Sequence, residues 1–274
     1  MDQEIYNQII KKKEFSDLPK KDVELAWKHF EKRQTSDEDK IDLTRDLLRK
    51  VFSAFASKKL LSLRQKLKLL TASSKRGQSK DKELEWILKK HISTKERLDF
   101  YEELYSKLLK GKKYNVIDLG AGINGLSYKF FGDNLEYYFG VEAMGQLVDL
   151  SNYYFVQNKL NGKCSHESLF ELEKIKKLIR EIKGVKIIFL FKTLDSLEML
   201  ERNYSKKLLL ELVPLVDKVV VSFATRSLVS HQKFKVNRNW ILSFIKENFN
   251  LLEDFELGGE RYLVFGASQL SAIK

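Results

Sequence analysis

Asn115-Val116-Ile117-Asp118-Leu119-Gly120-Ala121-Gly122-Ile123-Asn124-Gly125-Leu126 is the stretch whose reading decides the fold. A β-rich apolar run stops abruptly in a glycine turn, and the apolar-periodic Leu126-Ser127-Tyr128-Lys129-Phe130-Phe131 follows. That order predicts strand, tight turn and helix, the opening unit of a doubly wound α/β domain. Glycines there let the backbone approach a ligand where a Cβ would block it.

Two ligands compete for such a turn. Gly120, Gly122 and Gly125 fit G-x-G-x-x-G, the dinucleotide fingerprint, in which a pyrophosphate rests on a helix N-terminus. The other is S-adenosylmethionine, which carries no phosphate but has a cationic sulfonium and an ammonium. Asp118 favours the second, because a carboxylate two residues before the first glycine suits a cation and repels a pyrophosphate. Apolar-apolar-Asp-apolar-Gly-x-Gly resembles the first motif of class I S-adenosylmethionine-dependent methyltransferases.

Downstream the βα alternation is regular. Tyr137–Glu142 reads as a second strand ending in an acid, which can accept hydrogen bonds from ribose hydroxyls. A helix through Leu147, Leu150, Tyr154 and Phe155 follows, then a weaker strand over 163–169 with Glu167 and Ser168 near its end. Val185–Phe191 is a buried strand closed by Lys192, Leu208–Val213 lies on a helix, and Val216–Phe223 is a fifth strand. After a helix at Trp240–Ile245, Leu251–Leu257 and Tyr262–Phe265 are joined by Gly258-Gly259 as an antiparallel hairpin. A methyltransferase sheet finishes in this way, whereas a nicotinamide-binding domain ordinarily does not.

Upstream, residues 1–110 read as almost wholly helical. Val23-Ala26-Trp27-Phe30 has helical spacing, as does the run from Ile41 to Phe55, with Ser36–Asp39 as a capping run between them. Leu60–Leu70 reads as a basic amphipathic helix and Thr71–Ser79 as an exposed loop. Ser93 to Glu96 forms S-x-x-E, a capping box at the mouth of a long amphipathic helix. Arg97 then sits one turn in, where a guanidinium can take a ligand carboxylate bidentately. The expected division is a helical domain over 1–110, with a linking helix at about 93–110, and a cofactor-binding domain over 111–274.

The 274 residues are 43% hydrophobic and 12% aromatic, which excludes global disorder. No apolar run reaches the roughly 18 residues a membrane helix needs. The acidic start lacks the apolar region of a signal peptide, so a cytoplasmic protein is expected. Cys164 is the single cysteine, which excludes an internal disulfide and a cysteine-built zinc site; no metal is expected. The net charge of +12 allows a polyanionic partner. Residues 51–80 carry Lys58, Lys59, Arg64, Lys66, Lys68, Lys75, Arg76 and Lys80 and no acid. A second acid-free stretch, Lys218–Lys246, holds Arg226, Lys233, Lys235 and Arg238. Two one-sign stretches flanking a catalytic-type domain point to phosphate contacts with nucleic acid.

The chain also resembles one family closely over roughly residues 50–266: the Arm/Rmt methyltransferases of small-subunit (16S) ribosomal RNA, which give aminoglycoside resistance by modifying guanine N7. His91-Ile92-Ser93-Thr94-Lys95-Glu96-Arg97 is similar to the family's H-x-S-T-x-E-R, and Val116–Asn124 to its V-L-D-x-x-C-G-x-N. Phe191-Lys192-Thr193-Leu194 is similar to L-K-x-L. Ser222-Phe223, Arg226-Ser227-Leu228 and Gly259-Glu260-Arg261-Tyr262 are similar to S-F-P-x-K/R-S-L and G-N-E-L-x-Y. The resemblance implies a class I methyltransferase fold, Rossmann-like with an antiparallel last strand, behind a helical domain that docks on the small ribosomal subunit, in a monomer. It implies that His91, Ile92, Ser93 and Arg97 hold the methionine end of S-adenosylmethionine. It places Asp118, Gly120 and Gly122 along the cofactor, Glu142 on the ribose, Ser168 and Leu169 at the adenine, and Phe191 in the pocket wall. Lys192 and Arg226 would lie by the target nucleotide, with no catalytic base. The chain departs from the pattern at Ala121, Gly125, Glu142, Asp195 and Ala224, and Ser168 stands where the family has an acid at the adenine edge.

Overall fold

The computed structural model describes residues 1–53, 77–225 and 238–268. Three helices open the chain: α1 (Gln3–Ile10), α2 (Lys20–Lys28) and α3 (Asp37–Leu48), the last running into a π turn at Arg49–Ser53. The Ser36 hydroxyl caps α3 by accepting from the Asp39 N–H at 3.1 Å, and three acids in the first turn suit its positive end. Val23, Ala26 and Trp27 are buried, so the expected apolar stripe of α2 holds.

Helix α4 spans Gly77–Leu88, which corrects the loop expected to reach Ser79: its last three residues already lie in the first helical turn. The long helix expected from Ser93 is also corrected. It is three pieces, α5 (Ile92–Arg97), a 3-10 turn (Leu98–Phe100) and α6 (Tyr101–Leu108). The cap position belongs to His91, so the capping box does not form, and Glu96 turns instead to Lys192. The helix start is held by Thr94, whose hydroxyl donates to Leu88 O at 2.5 Å and lies 3.1 Å from His91 O.

From Tyr114 the chain builds one sheet. Its strands are β1 (Tyr114–Leu119), β2 (Leu135–Glu142), β3 (Gly162–His166), β4 (Lys186–Phe191), β5 (Lys218–Ala224), β6 (Phe249–Leu257) and β7 (Glu260–Ala267). Their order is β3-β2-β1-β4-β5-β7-β6, with β1 to β5 parallel and β7 antiparallel between β5 and β6. β1 and the inner part of β4 are buried on both faces, which is why they read as continuous apolar runs. The crossovers carry α7 (Gly145–Gln157), α8 (Leu172–Glu181), α9 (Leu194–Leu200) and α10 (Tyr204–Leu212), and α11 (Asn239–Asn248) precedes the hairpin.

No α-helix follows the glycine turn. Asn124–Asn134 is instead 3-10 structure broken at Gly132, whose φ of +65° no helix contains. Aromatic packing replaces the missing helix: Tyr105 of α6 stacks on Phe131 at 3.7 Å and Tyr101 on Phe130 at 5.4 Å. The N-terminal helices dock on the sheet's loops. His166 Nε2 lies 2.6 Å from Asp17 O and His29 Nε2 lies 2.9 Å from Leu200 O, and one hydrophobic core runs from Ile9 to Phe265. Among the described residues no helix is long and apolar enough to cross a membrane.

Candidate active site

A cavity follows the C-terminal edge of the parallel strands. This is where an open α/β sheet places a ligand. The strand order fixes the sequence of the walls. Leu169 and Phe170 lie beyond β3, Glu142 ends β2, Asp118 to Gly122 leave β1, and Phe191 and Lys192 end β4. His91, Ser93, Thr94 and Arg97 cover the β1–β4 side, and Asp22, Val51 and Phe52 come from the N-terminal helices.

The turn itself is built as the glycines suggested. Gly120 and Gly122 have φ of +74° and +53°. A Cβ on Gly122 would lie 2.9 Å from His91 Nε2, and one on Gly120 would lie 2.8 Å from Thr193 Oγ1. Glu142 anchors the turn: its carboxylate accepts from the Gly122 N–H at 2.8 Å and from the Met144 N–H at 2.9 Å. Burial raises the Glu142 pKa despite those two donors.

Asp118 is committed to the protein before it meets any ligand. Its Oδ2 accepts from Asn124 Nδ2 and from the Tyr138 hydroxyl, both at 2.7 Å, and burial lifts its pKa. Asn124 passes the network on, for its Oδ1 accepts from Arg97 Nη1 and the Tyr101 hydroxyl, each at 2.8 Å. Arg97 closes it, donating from Nε to Glu260 at 3.1 Å with its guanidinium 4.9 Å from the Phe191 ring centroid.

This arrangement changes the bidentate expectation for Arg97. Nε is taken by Glu260 and Nη1 by Asn124, which leaves Nη2 without a partner among the described residues. Lys192 likewise does not reach outward to a target base. At φ +58° it stands in the left-handed region, and its ammonium pairs with Glu96 and, at 2.9 Å, with Glu260. Its backbone N–H donates to Ser222, whose hydroxyl in turn donates to Glu260 at 2.8 Å. Strain at a non-glycine position of this kind costs on the order of 1 kcal/mol and persists only where neighbours hold it.

Glu260 therefore gathers Arg97, Lys192 and Ser222 at a point where it is 1% exposed. Burial works against its charge, but Arg97 and Lys192 hold its pKa below the usual glutamate value. Glu260 and Asn124 both lie inside motifs, but nothing local in the sequence assigns either a role. The signal available was an acid at the first residue of the last strand, opposite Ala224 in register. Asp22 was missed altogether, since nothing near it in sequence marks a site. Two expected residues stand behind the wall and do not line the cavity. Ile92 is the first residue of α5 and only half-buried, and Ser168 is fully enclosed with its hydroxyl accepting from the Phe170 N–H at 3.1 Å. Lys58, Lys59, Arg64, Lys66, Lys68, Lys75, Arg76, Arg226, Lys233 and Lys235 lie outside the described residues.

His91 is neutral across the working range. Burial first, then the charges of Arg97 and Lys192, push its pKa down to about 3. A depressed base gains its proton in the unfolded chain before the folded one, so stability falls as pH drops below the free value near 6.5. We expect a loss of about 2 kcal/mol between pH 7 and pH 5 from this residue alone. Urea unfolding of the wild type and His91→Gln at both pH values checks it, and equal losses in the two would exclude the assignment.

With this geometry in place, the comparisons with known proteins acquire a structural meaning. The family model described as ribosomal RNA methyltransferase (FmrO) matches residues 37–239. The chain belongs to that family. No curated protein matches it by sequence. Among solved structures it is similar to the 16S rRNA methyltransferase RmtF in complex with S-adenosyl-L-homocysteine, with a TM-score of 0.78 at 20% identity, covering 98% of this chain and 100% of that one. The 16S rRNA methylase RmtB follows at TM-score 0.71 and 18% identity, covering 97% and 98%. An rRNA methylase from Escherichia coli stands at 0.71 and 19%, covering 97% and 99%. These likenesses establish the class I methyltransferase fold, which agrees with the antiparallel β7 and sets the nicotinamide reading of the glycine turn aside. This ribosomal RNA methyltransferase keeps the cavity at the strand edge where its fold places a ligand.

Proposed function

We propose that this member of the rRNA methyltransferase family uses S-adenosylmethionine to methylate N7 of a guanine in the decoding site of the small ribosomal subunit, a modification that would give aminoglycoside resistance. The observation that carries the cofactor half is the Gly122 turn. Its backbone is pinned by Glu142 and packed against the His91 ring, where a Cβ would not fit, so the turn holds a fixed shape along the cavity wall at the end of β1. The residues present fit the cofactor. Arg97 has Nη2 for the methionine carboxylate, the acids Asp118 and Glu142 lie along the middle of the cavity, and Leu169 and Phe170 offer an apolar wall for the base.

When bound, S-adenosylmethionine supplies an electrophilic methyl group on a positively charged sulfur. The chain's task is positioning and exclusion of water. Guanine N7 carries a free lone pair at neutral pH, so no side chain has to remove a proton. His91, with its pKa pushed down to about 3, is too weak a base to take a proton there, which agrees with that chemistry. The target base would have to leave its stack to reach the cavity mouth. The basic residues of 51–80 would supply the phosphate contacts that dock the subunit.

Labelled S-adenosylmethionine with intact small subunits, naked ribosomal RNA and transfer RNA in parallel tests the proposal. Borohydride–aniline cleavage then maps any 7-methylguanine. Label at one decoding-site guanine of intact subunits is the expected result, and label only on the other RNAs would overturn the target. A Lys66→Glu, Lys68→Glu double variant is expected to lower transfer at least tenfold at low salt, with a shallower salt dependence than the wild type and cofactor affinity unchanged. Undiminished transfer would remove the docking role of the 51–80 segment.

A further inference from the structure

We propose that Asp22, carried on α2 of the N-terminal helical half, completes the adenine end of the cofactor site by accepting a hydrogen bond from the exocyclic amino group. The inference rests on the reading that the cavity takes S-adenosylmethionine. Beyond β3 the wall is apolar: Leu169, Phe170, Ala143, Leu147 and Leu200 line it, with Asp22 among them. Asp22 is only 2% exposed, and its Oδ2 has no hydrogen-bond partner among the described residues. A carboxylate oxygen buried without a donor is costly, and one that faces a ligand cavity is placed to be satisfied by what binds there.

One neighbouring donor serves the Asp22 carboxyl: the Ser168 hydroxyl turns toward it while accepting from the Phe170 N–H at 3.1 Å. Oδ2 is still left without a donor among the described residues. Ser168 brings no acid of its own. Burial, with Glu142 and Glu171 nearby, raises the Asp22 pKa to about 7, opposed by Ser168, as befits a site short of donors. An adenine edge offers one donor group, the amino at C6, beside ring acceptors. In its ionised form this buried acceptor in an apolar slot selects adenine and rejects hypoxanthine, whose C6 carries an oxo group, and the discrimination is sharpest above pH 7.

The helix carrying Asp22 is fastened at both ends. Asp17 O, just before α2, lies 2.6 Å from His166 Nε2 at the end of β3, and His29, its C-cap, lies 2.9 Å from Leu200 O. The N-terminal half is thus part of the cofactor pocket as well as a separate surface for RNA. Titration calorimetry of S-adenosylhomocysteine and S-inosylhomocysteine against the full-length wild type, Asp22→Ala and Asp22→Asn tests this. The wild type should prefer the adenine compound by about 100-fold, and Asp22→Ala should lose about tenfold in adenine affinity. Its affinity for the inosine compound should hardly change, so the preference falls to about tenfold. Asp22→Asn, whose amide can also donate, should bind the inosine compound better than the wild type does. A preference kept intact in both variants, each with unchanged thermal stability, overturns the role of Asp22. Failure of the wild type to bind either compound would instead overturn the cofactor reading.

Discussion

Arg97→Ala is expected to weaken S-adenosylhomocysteine binding by about 100-fold, the equivalent of a charge-assisted contact of roughly 2.7 kcal/mol. The guanidinium is 4% exposed and reaches three things at once: Glu260 through Nε, Asn124 through Nη1 and the cavity beside Phe191. Truncation to alanine also strips the Glu260 partner, so a stability loss would accompany the binding loss. Arg97→Lys separates the two. A lysine keeps a charge near Glu260 but loses the planar fork that holds Asn124 while still reaching the cavity. The expected pair of results is a melting temperature close to wild type and an affinity still reduced at least tenfold. Affinities within twofold of wild type in both variants would remove Arg97 from the cofactor site.

Glu260→Ala is expected to cost about 3–5 kcal/mol of stability, the range for leaving buried charges unpaired. In a chain of this size that corresponds to a fall in melting temperature on the order of 10 °C. Its two oxygens serve Arg97, Lys192 and Ser222, and without them the Arg97 guanidinium keeps no carboxylate among the described residues. Glu260→Gln should fall between, since an amide oxygen still accepts but carries no charge. The double variant Arg97→Ala, Glu260→Ala should lose less than the sum of the singles, because each removes the other's unpaired partner. Strict additivity, or a Glu260→Ala protein as stable as wild type, would show that the buried cluster does not hold the strand edge together.

These two residues also show how far the sequence reaches. The glycine turn, the regular βα alternation and the antiparallel hairpin at Gly258-Gly259 were all legible, because each is a local property. A β-branched run, a positive φ and a two-glycine turn depend only on a few neighbouring residues. The capping box at Ser93–Glu96 was equally local and yet did not form, because the helix starts two residues earlier with His91 at its cap, and Glu96 pairs with Lys192, which lies 96 residues away in the chain. The helix after the turn is likewise absent: Gly132 breaks the segment at φ +65°, and Phe130 and Phe131 stack on Tyr101 and Tyr105 of a helix earlier in the chain.

Sequence alone therefore determined the fold, the glycine cradle on the chain and, through its motifs, most of the residues around the cavity. Only the tertiary structure decided what those residues are free to do. It committed Asp118 and Asn124 to each other, spent two of the nitrogens of Arg97 on protein partners, and turned Lys192 inward. It also brought Asp22 from the far N-terminal half to a wall more than a hundred residues later in the chain. The physical reason is that a buried polar group must find its partner wherever the fold supplies one. That pairing is set by distance in space, which no spacing along the chain encodes.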